Sequence, residues 1–237
     1  MIDEKILAEQ ILEQDTLSIV QTDDVNGKKK DSKMYLMSKR IFDILMALLL
    51  LVISAIPMAI IAAIIKLQDP NGGVFFAQER YGLEGKRFKI YKFRSMVANA
   101  EEMLKNNEVL YKKYIENGYK LPEGEDPRIM NVGSILRKTS LDELPQIFNV
   151  LNGSMSFVGP RPILDEELKS EYGIDRIKFL SVKPGVTGYW QANGRSNINY
   201  PERAQMELYY ISNRSFLFDL KIVYQTFLSV VSGKGAH

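Results

Sequence analysis

The stretch IFDILMALLLLVISAIPMAIIAAII, residues 41–65, decides how this chain is organised. Of its 25 residues, 22 are apolar, and the exceptions are Asp43, Ser54 and Pro57. A helix that crosses a bilayer needs about 20 predominantly apolar residues. A helix that is apolar on every face also needs more cover than one small domain provides. The segment therefore predicts a membrane helix.

The course of this helix depends on Pro57 and on the flanking charges. Proline inside a helix removes a backbone hydrogen bond and clashes with the preceding turn, so we expect a helix break at Pro57. Basic residues flank both ends, and cytoplasmic flanks are the ones enriched in Lys and Arg. A re-entrant helix that enters the membrane, bends and returns is therefore expected. A single straight or kinked span is the alternative.

Composition divides the chain into three predicted parts. Residues 1–33 are polar, and residues 1–26 carry seven acidic residues and one lysine. They lack the basic start of a signal peptide, and we expect a mobile leader. Residues 34–70 are the expected re-entrant membrane anchor, and residues 71–237 the expected cytosolic catalytic domain.

Basic residues are clustered although the net charge is only +2. Residues 28–40 include six of them, and residues 85–94 include five and no acid. Such clusters favour binding to phosphates or to anionic lipid head groups. Each basic residue near an anionic membrane surface contributes about 1 kcal/mol of binding free energy. They are equally typical of a solvated surface. No nucleic-acid partner is expected.

The chain has no cysteine, and its single histidine is His237. This excludes disulfides and thiolate chemistry and argues against a Ser-His triad or a histidine-ligated zinc. An enzyme of this composition depends on carboxylates, Lys, Arg, Tyr or backbone groups. Its divalent metal would be a hard, oxygen-liganded ion such as Mg2+.

Alternating residues at 74–76 and 87–94, around the turn at 81–85, predict a short β-hairpin. The expected fold class is α+β and mostly helical: a re-entrant membrane helix, then a compact cytosolic domain with a short β-hairpin and interfacial amphipathic helices. The predicted helices after the anchor cover residues 96–117, 132–138, 143–151, 163–179, 201–213 and 218–232.

Two adjacent carboxylates, Asp142 and Glu143, lie in the stretch TSLDELPQ, residues 139–146. Ser140 and Glu143 have the spacing of a capping box, so a purely structural role stays open. In either case the pair lies at or just before a helix N-terminus, which favours ionised carboxylates and bound phosphate. An ionised aspartate can attack a phosphoryl group, and the neighbouring carboxylate could bind Mg2+.

Basic residues elsewhere could meet the same phosphate. Arg161 lies between two prolines, so its backbone is fixed, and a rigid guanidinium suits phosphate oxygens. Arg137 lies five residues before Asp142, and we expect these two arginines to help keep the carboxylates ionised. Lys92 and Arg94 are expected to point to one face of a strand. For any one of these residues alone, a surface charge is the simpler interpretation.

A glycine-rich loop surrounds Trp190 and Gln191. Glycines allow a ligand to approach the backbone closely, so either side chain could meet a nucleotide base. A tryptophan is more often a core residue, and this loop alone is a weak signal.

Together these motifs resemble the bacterial sugar transferase family, the monotopic phosphoglycosyl transferases, over residues 35–237. The motifs that carry the resemblance are KRxxD at 39–43, QxRxG at 78–82, YKFRSM at 91–96, LRKTSLDELPQ at 136–146, SFVGPRP at 156–162 and KPGVTG at 183–188. Longer relatives have additional N-terminal membrane helices, and this chain resembles the short form.

The resemblance implies transfer of a sugar-1-phosphate from a UDP-sugar to undecaprenyl phosphate, with release of UMP. It implies that Asp142 is the nucleophile of a covalent phosphosugar intermediate and that Glu143 is the Mg2+ ligand. Arg137 and Arg161 correspond to the family's phosphate-binding arginines, and Arg195 is a weaker candidate for the uridine diphosphate.

The resemblance also implies a place at the cytoplasmic face of the bacterial cell membrane. The expected pathway is exopolysaccharide, capsule or glycoconjugate synthesis. The sugar is expected to be galactose or glucose, and homodimer formation is compatible with the pattern. Two other classes remain as alternatives: a non-catalytic membrane adaptor, and a membrane pyrophosphate hydrolase that uses the same two carboxylates.

Overall fold

The structure is a computed structural model that describes residues 31–116, 121, 124–194 and 198–231. Most of the predicted leader therefore lies outside the described residues. The helices are α1 (Lys33–Gln68), α2 (Ala100–Lys105), α3 (Glu108–Glu116), α4 (Asn131–Thr139), α5 (Gln146–Asn152), α6 (Asp165–Tyr172), α7 (Arg176–Phe179), α8 (Tyr189–Asn193), α9 (Glu202–Asn213) and α10 (Phe216–Val231). The strands are β1 (Phe75–Tyr81), β2 (Arg87–Phe93), β3 (Ser156–Val158) and β4 (Gly185–Thr187). The prediction of a mostly helical α+β fold is confirmed.

The apolar segment forms α1, one continuous helix of 36 residues. Ser32 caps it by accepting a hydrogen bond from the Tyr35 backbone N–H at 3.1 Å. Pro57 lies inside the helix and does not end it, so the expected break is not observed. Proline removes only one hydrogen bond, and packing on both sides of Pro57 keeps the helix continuous. Re-entry into the membrane stays a prediction.

Helix α1 packs on the rest of the chain along a stripe of residues spaced three, four or seven apart. In its first half Ala47 joins a core with Val150 and Phe157, and in its second half Ile65 joins a core with Leu136. Polar residues Asp43 and Ser54 also lie on this stripe. The buried residues of the stripe are Asp43, Ala47, Ser54, Met58, Ile61 and Ile65.

The opposite side of α1 is apolar and is exposed along the whole length of the helix. By length and composition alone, this helix could cross a membrane: its most apolar 18-residue window has a mean hydropathy of 3.0, and only 22% of that window is buried. An exposed apolar surface of this size marks a membrane or protein contact. The exposed residues are Met34, Leu36, Met37, Ile41, Leu45, Leu48, Leu49, Val52, Ile53, Ile56, Ile60, Ile64 and Leu67.

Strands β1 and β2 form the predicted hairpin. They pair antiparallel, from Phe75 opposite Phe93 to Tyr81 opposite Arg87. The connecting turn requires left-handed backbone at Glu84 (φ 57°) and Gly85 (φ 74°). The hairpin places Lys92 on the side of α5, where the two carboxylates lie.

A second sheet was not predicted from the sequence. Strands β3 and β4 pair parallel, with Ser156 opposite Gly185 and Val158 opposite Thr187. A Cβ atom on Gly159 would lie 2.4 Å from the Lys183 carbonyl oxygen, so this contact requires glycine. Each strand has three residues, too few for an alternating pattern to show.

The helices predicted after the anchor are present with two corrections, and α8 (Tyr189–Asn193) lies where a glycine-rich loop was expected. The helix expected at 96–117 is two helices, α2 and α3, and the one expected at 163–179 is α6 and α7 with a 3-10 turn between them. The amphipathic helices at the C-terminal end are confirmed as α9 and α10. On α10, Leu217, Tyr224 and Phe227 are exposed, as the prediction of an interfacial helix requires.

Candidate active site

Asp142 and Glu143 lie in a 3-10 turn, Leu141–Glu143, between α4 and α5. Ser140 ends α4 in the left-handed conformation (φ 57°), and its side chain makes no capping hydrogen bond. An N-cap residue normally has extended backbone angles. The capping-box alternative for Ser140 and Glu143 is therefore wrong.

The pair lies just before a helix N-terminus, as expected. Helix α5 begins at Gln146, and Pro145 occupies the cap position, where its missing N–H is no loss. Proline thereby fixes the chain between the carboxylates and α5. The unpaired N–H groups of the first turn favour negative charge at this end.

Glu143 binds Lys92 of strand β2. Lys92 Nζ donates to Glu143 Oε1 at 2.6 Å, and both side chains are about three-quarters buried. Burial alone would raise the pKa of Glu143, but the charges of Lys92 and Arg161 outweigh burial and lower this pKa. Glu143 is therefore held ionised.

Asp142 has the opposite pKa shift. Burial raises its pKa, the adjacent Glu143 raises it further, and Lys92 and Arg137 oppose the change without cancelling it. The expectation that the surrounding cations would help keep both carboxylates ionised thus holds for Glu143, whereas the pKa of Asp142 moves upward. A carboxylate with a raised pKa is the stronger base and nucleophile when it is deprotonated.

Beside Glu143, a cleft brings together cations from separate parts of the chain. The cleft lies between α5 and β4, and Pro162 and Val186 are among the residues that line it. Three cations and two amides around one carboxylate suit a doubly charged phosphate ester. The charged and amide residues that line it are Arg80, Lys92, Glu143, Gln146, Arg161 and Gln191.

The backbone of Arg161 is fixed by its two neighbouring prolines and by a hydrogen bond to α9. Prolines precede and follow it, and its N–H donates to Glu207 Oε1 at 2.9 Å. Glu207 is only 1% exposed and also accepts a hydrogen bond from the Tyr172 hydroxyl. Helix α9 thereby holds the turn that carries Arg161, a contact that was not predicted from the sequence.

Arg80 is a site residue that sequence reasoning did not select. It extends from β1 into the cleft, donates to Gln78 Oε1 at 2.7 Å and lies 3.7 Å from Glu167. Burial lowers its pKa, and Arg161 lowers it further, which indicates that two guanidinium groups share this space. The QxRxG motif at 78–82 was the available signal.

Three predicted binding residues do not line the cleft. Arg94 follows the end of β2 and has other partners than Lys92: its guanidinium donates to Asp69 and to the Gly73 carbonyl oxygen, whereas Lys92 donates to Glu143. Arg137 is exposed at the end of α4, where its charge acts on Asp142. Arg195 lies outside the described residues.

The donor set at the cleft fits Mg2+ only together with a substrate. Within the described residues, no group of three or more acidic or histidine side chains is placed to hold a metal. Mg2+ is commonly bound by one or two carboxylates plus substrate phosphates and water. Glu143, with its lowered pKa, and the adjacent Asp142 supply such carboxylates.

Comparison of the sequence with known protein families identifies the family of this chain. The sequence pattern described as "Bacterial sugar transferase" matches residues 34–233. The chain belongs to the bacterial sugar transferase family. This match includes α1, both sheets and the two carboxylates.

Individual members of the bacterial sugar transferases are similar over most of this chain. An undecaprenyl-phosphate galactose phosphotransferase of Salmonella typhimurium is 41% identical over 215 residues, which are 90% of this chain and 44% of that protein. The exopolysaccharide production protein ExoY of Sinorhizobium fredii is 39% identical over 84% of this chain and 88% of its own length. The UDP-glucose:undecaprenyl-phosphate glucose-1-phosphate transferase of Escherichia coli is 39% identical, over 84% of this chain and 41% of that protein. The chain thus spans less than half of the first and third relatives.

Proposed function

We propose that this protein transfers a sugar-1-phosphate from a UDP-sugar to undecaprenyl phosphate and releases UMP. The observation that carries the proposal is the pair Asp142–Glu143 beside a cleft with Arg80, Lys92 and Arg161, in a chain of the bacterial sugar transferase family. Relatives are named for galactose and for glucose transfer, so galactose or glucose is the proposed sugar. The product, undecaprenyl-diphosphate-sugar, would begin an exopolysaccharide, capsule or other glycoconjugate.

In the proposed first step, a carboxylate oxygen of Asp142 attacks the β-phosphorus of the UDP-sugar. The bond between that phosphorus and the bridging oxygen breaks, and UMP leaves with the electron pair. In the second step, a phosphate oxygen of undecaprenyl phosphate attacks the phosphorus held on Asp142. The Asp142–phosphorus bond breaks, which restores the carboxylate and forms the new diphosphate.

The cleft supplies charge for this exchange. Arg80, Lys92 and Arg161 would neutralise the diphosphate, and the fixed backbone of Arg161 would let its guanidinium bind in one geometry. Glu143 would hold Mg2+ at this cleft. Mg2+, when bound, would supply a charge that reduces repulsion between carboxylate and phosphate.

We also propose that α1 re-enters the membrane, with both ends at the cytoplasmic face. Near its start, Lys39 Nζ donates to the Val158 carbonyl oxygen at 2.8 Å. At its end, Gln68 accepts a hydrogen bond from the Val132 N–H at 3.3 Å. Because one domain contacts both ends, a simple span would draw part of this polar domain across the bilayer.

A panel of UDP-sugars, assayed for UMP release with and without undecaprenyl phosphate, tests the proposal. We expect sustained release that requires both the lipid and Mg2+, and loss of release in Asp142→Asn. Sustained UMP release without the lipid would favour the hydrolase. No turnover with any donor, together with membrane binding that depends only on the basic residues, would favour the adaptor.

A further inference from the structure

A second cavity lies beside the first half of α1, apart from the cleft at Glu143. It is bounded by α1, β3, the turn at 181–183 and the end of α9, with a volume of about 780 Å3 that includes its open part. Among the described residues, none lines both spaces. Val158 of β3 faces the cavity, and Val186 of the neighbouring β4 faces the cleft.

Four basic residues line this cavity, and three of them are already engaged. Lys39 and Arg214 each pair with an aspartate at 2.9 Å. Arg40 donates to two carbonyl oxygens at the end of α5, at 2.6 and 2.8 Å. Lys183, the fourth, forms no hydrogen bond or ion pair within the part of the chain that the structure describes.

Lys183 and Arg40 meet at Gly153. A Cβ atom placed on Gly153 would lie 3.7 Å from Lys183 Nζ and 3.6 Å from Arg40 Nη2. Burial lowers the pKa of Lys183, and Arg40 lowers it further. Asp43 is the carboxylate whose charge opposes this shift, but its hydrogen bonds go to the Ser156 hydroxyl and the Phe157 N–H, and it forms no ion pair with Lys183. Two cations therefore meet at this point, and neither forms an ion pair within the described residues.

Much of the remaining wall is apolar and reaches the outer face of α1. Leu36, Leu83 and Val182 line the cavity, and Leu36 is also 51% exposed, within the apolar surface of α1. A ligand seated here would have an anionic end beside Lys183 and an apolar end along Leu36. Those are the properties of a lipid.

We propose that this cavity binds an anionic phospholipid of the bilayer, with its phosphate between Lys183 and Arg40 and its acyl chain against Leu36. The site is distinct from the position that the acceptor lipid must take, because the acceptor phosphate has to reach Asp142. The inference rests on the membrane placement of α1 and is independent of the transfer chemistry.

The test compares lipids retained by the purified full chain. Wild-type protein, Lys183→Met and the exposed control Lys178→Met are placed in nanodiscs of phosphatidylcholine with a minor fraction of phosphatidylglycerol, and bound lipid is measured by native mass spectrometry. We expect wild type and Lys178→Met to be enriched in phosphatidylglycerol. In Lys183→Met we expect the enrichment to be about fivefold lower, which is the effect of one lysine at a membrane surface. In Lys183→Arg, which keeps the positive charge, we expect the enrichment of the wild type.

Equal enrichment in wild type and Lys183→Met would overturn the proposal. Displacement of the phospholipid by inorganic phosphate alone would show a plain anion site, and preferential retention of undecaprenyl phosphate would show an acceptor site; either result also overturns it. If Lys183→Met fails to fold, Leu36→Gln tests the acyl-chain contact in the same assay, with the exposed Met37→Gln as control. Unchanged lipid retention in Leu36→Gln would then contradict the proposal.

Discussion

At Asp142, burial and positive charge act on the pKa in opposite directions. Burial dominates and raises the pKa, whereas Lys92 lowers it. The proposed nucleophile must be deprotonated, so we expect the rate of UMP release to fall as the pH decreases through this raised pKa. The acidic limb of the pH profile should therefore lie above the ordinary range of an aspartate.

Replacing Lys92 should shift that limb. Lys92→Met removes a cation that favours the ionised form, so the acidic limb of kcat/KM should move to higher pH. Lys89→Met, an exposed lysine on the same strand, should leave the limb in place. A limb that stays fixed in Lys92→Met would show that another group controls the rate.

Glu207 is expected to act as a positioning residue for Arg161. In Glu207→Gln the amide cannot satisfy both the Arg161 N–H and the Tyr172 hydroxyl in their present arrangement. One impaired hydrogen bond is worth about 1 kcal/mol, so KM for the UDP-sugar should rise about three- to tenfold with little change in kcat. Glu202→Gln, exposed on the same helix, is the control.

The two outcomes separate positioning from stability. A KM increase with an unchanged Tm supports positioning of Arg161. A lower Tm with unchanged KM would mean that Glu207 serves only the packing of α9.

At the scale of elements, Arg94 connects the end of α1 to β2. Its guanidinium binds Asp69, and both side chains are at least 86% buried. Removing Arg94 leaves Asp69 without its cation and the Gly73 carbonyl oxygen without its donor, which weakens the contact between the end of α1 and β2. We expect Arg94→Met to lower Tm by several degrees and to leave KM for the UDP-sugar unchanged, and the exposed Lys86→Met to change neither. A higher KM for the UDP-sugar without a lower Tm would instead indicate that Arg94 binds the substrate.

Elements with strong local patterns were predicted, and those fixed by distant contacts were not. The hairpin follows from alternation, and the end of α5 follows from Gly153, whose φ of 84° favours glycine. The β3–β4 pair depends on contacts between Gly159 and residues 183–185, which no local pattern reports.

The candidate site shows the same division. Lys92, Glu143, Arg161 and Gln191 were selected from the sequence, and the structure brings them to one cleft. Arg94 was misplaced because β2 ends at Phe93, so the alternation that governs Lys92 does not extend to it. The support of Arg161 by Glu207 was missed because it joins residues 46 positions apart.

At the scale of the whole molecule, the exposed apolar side of α1 and its contacts at both ends predict one-sided topology. The native chain has no cysteine, so single cysteines can be placed at the exposed positions Ser32 and Asn71. In cells, we expect membrane-impermeant thiol reagents added outside to label neither position, and both to react after the membrane is opened. Labelling of one position from outside would contradict re-entry and support a single span.

The most direct test of the central claim is the mass of the intact protein after incubation with a UDP-sugar and Mg2+ in the absence of lipid acceptor. We predict that the chain gains one sugar-phosphate, that peptide mapping locates it at Asp142, and that added undecaprenyl phosphate removes it. Asp142→Asn should show no gain. A donor that turns over without any adduct, or an adduct that persists in Asp142→Asn, would contradict the assignment of Asp142 as the nucleophile.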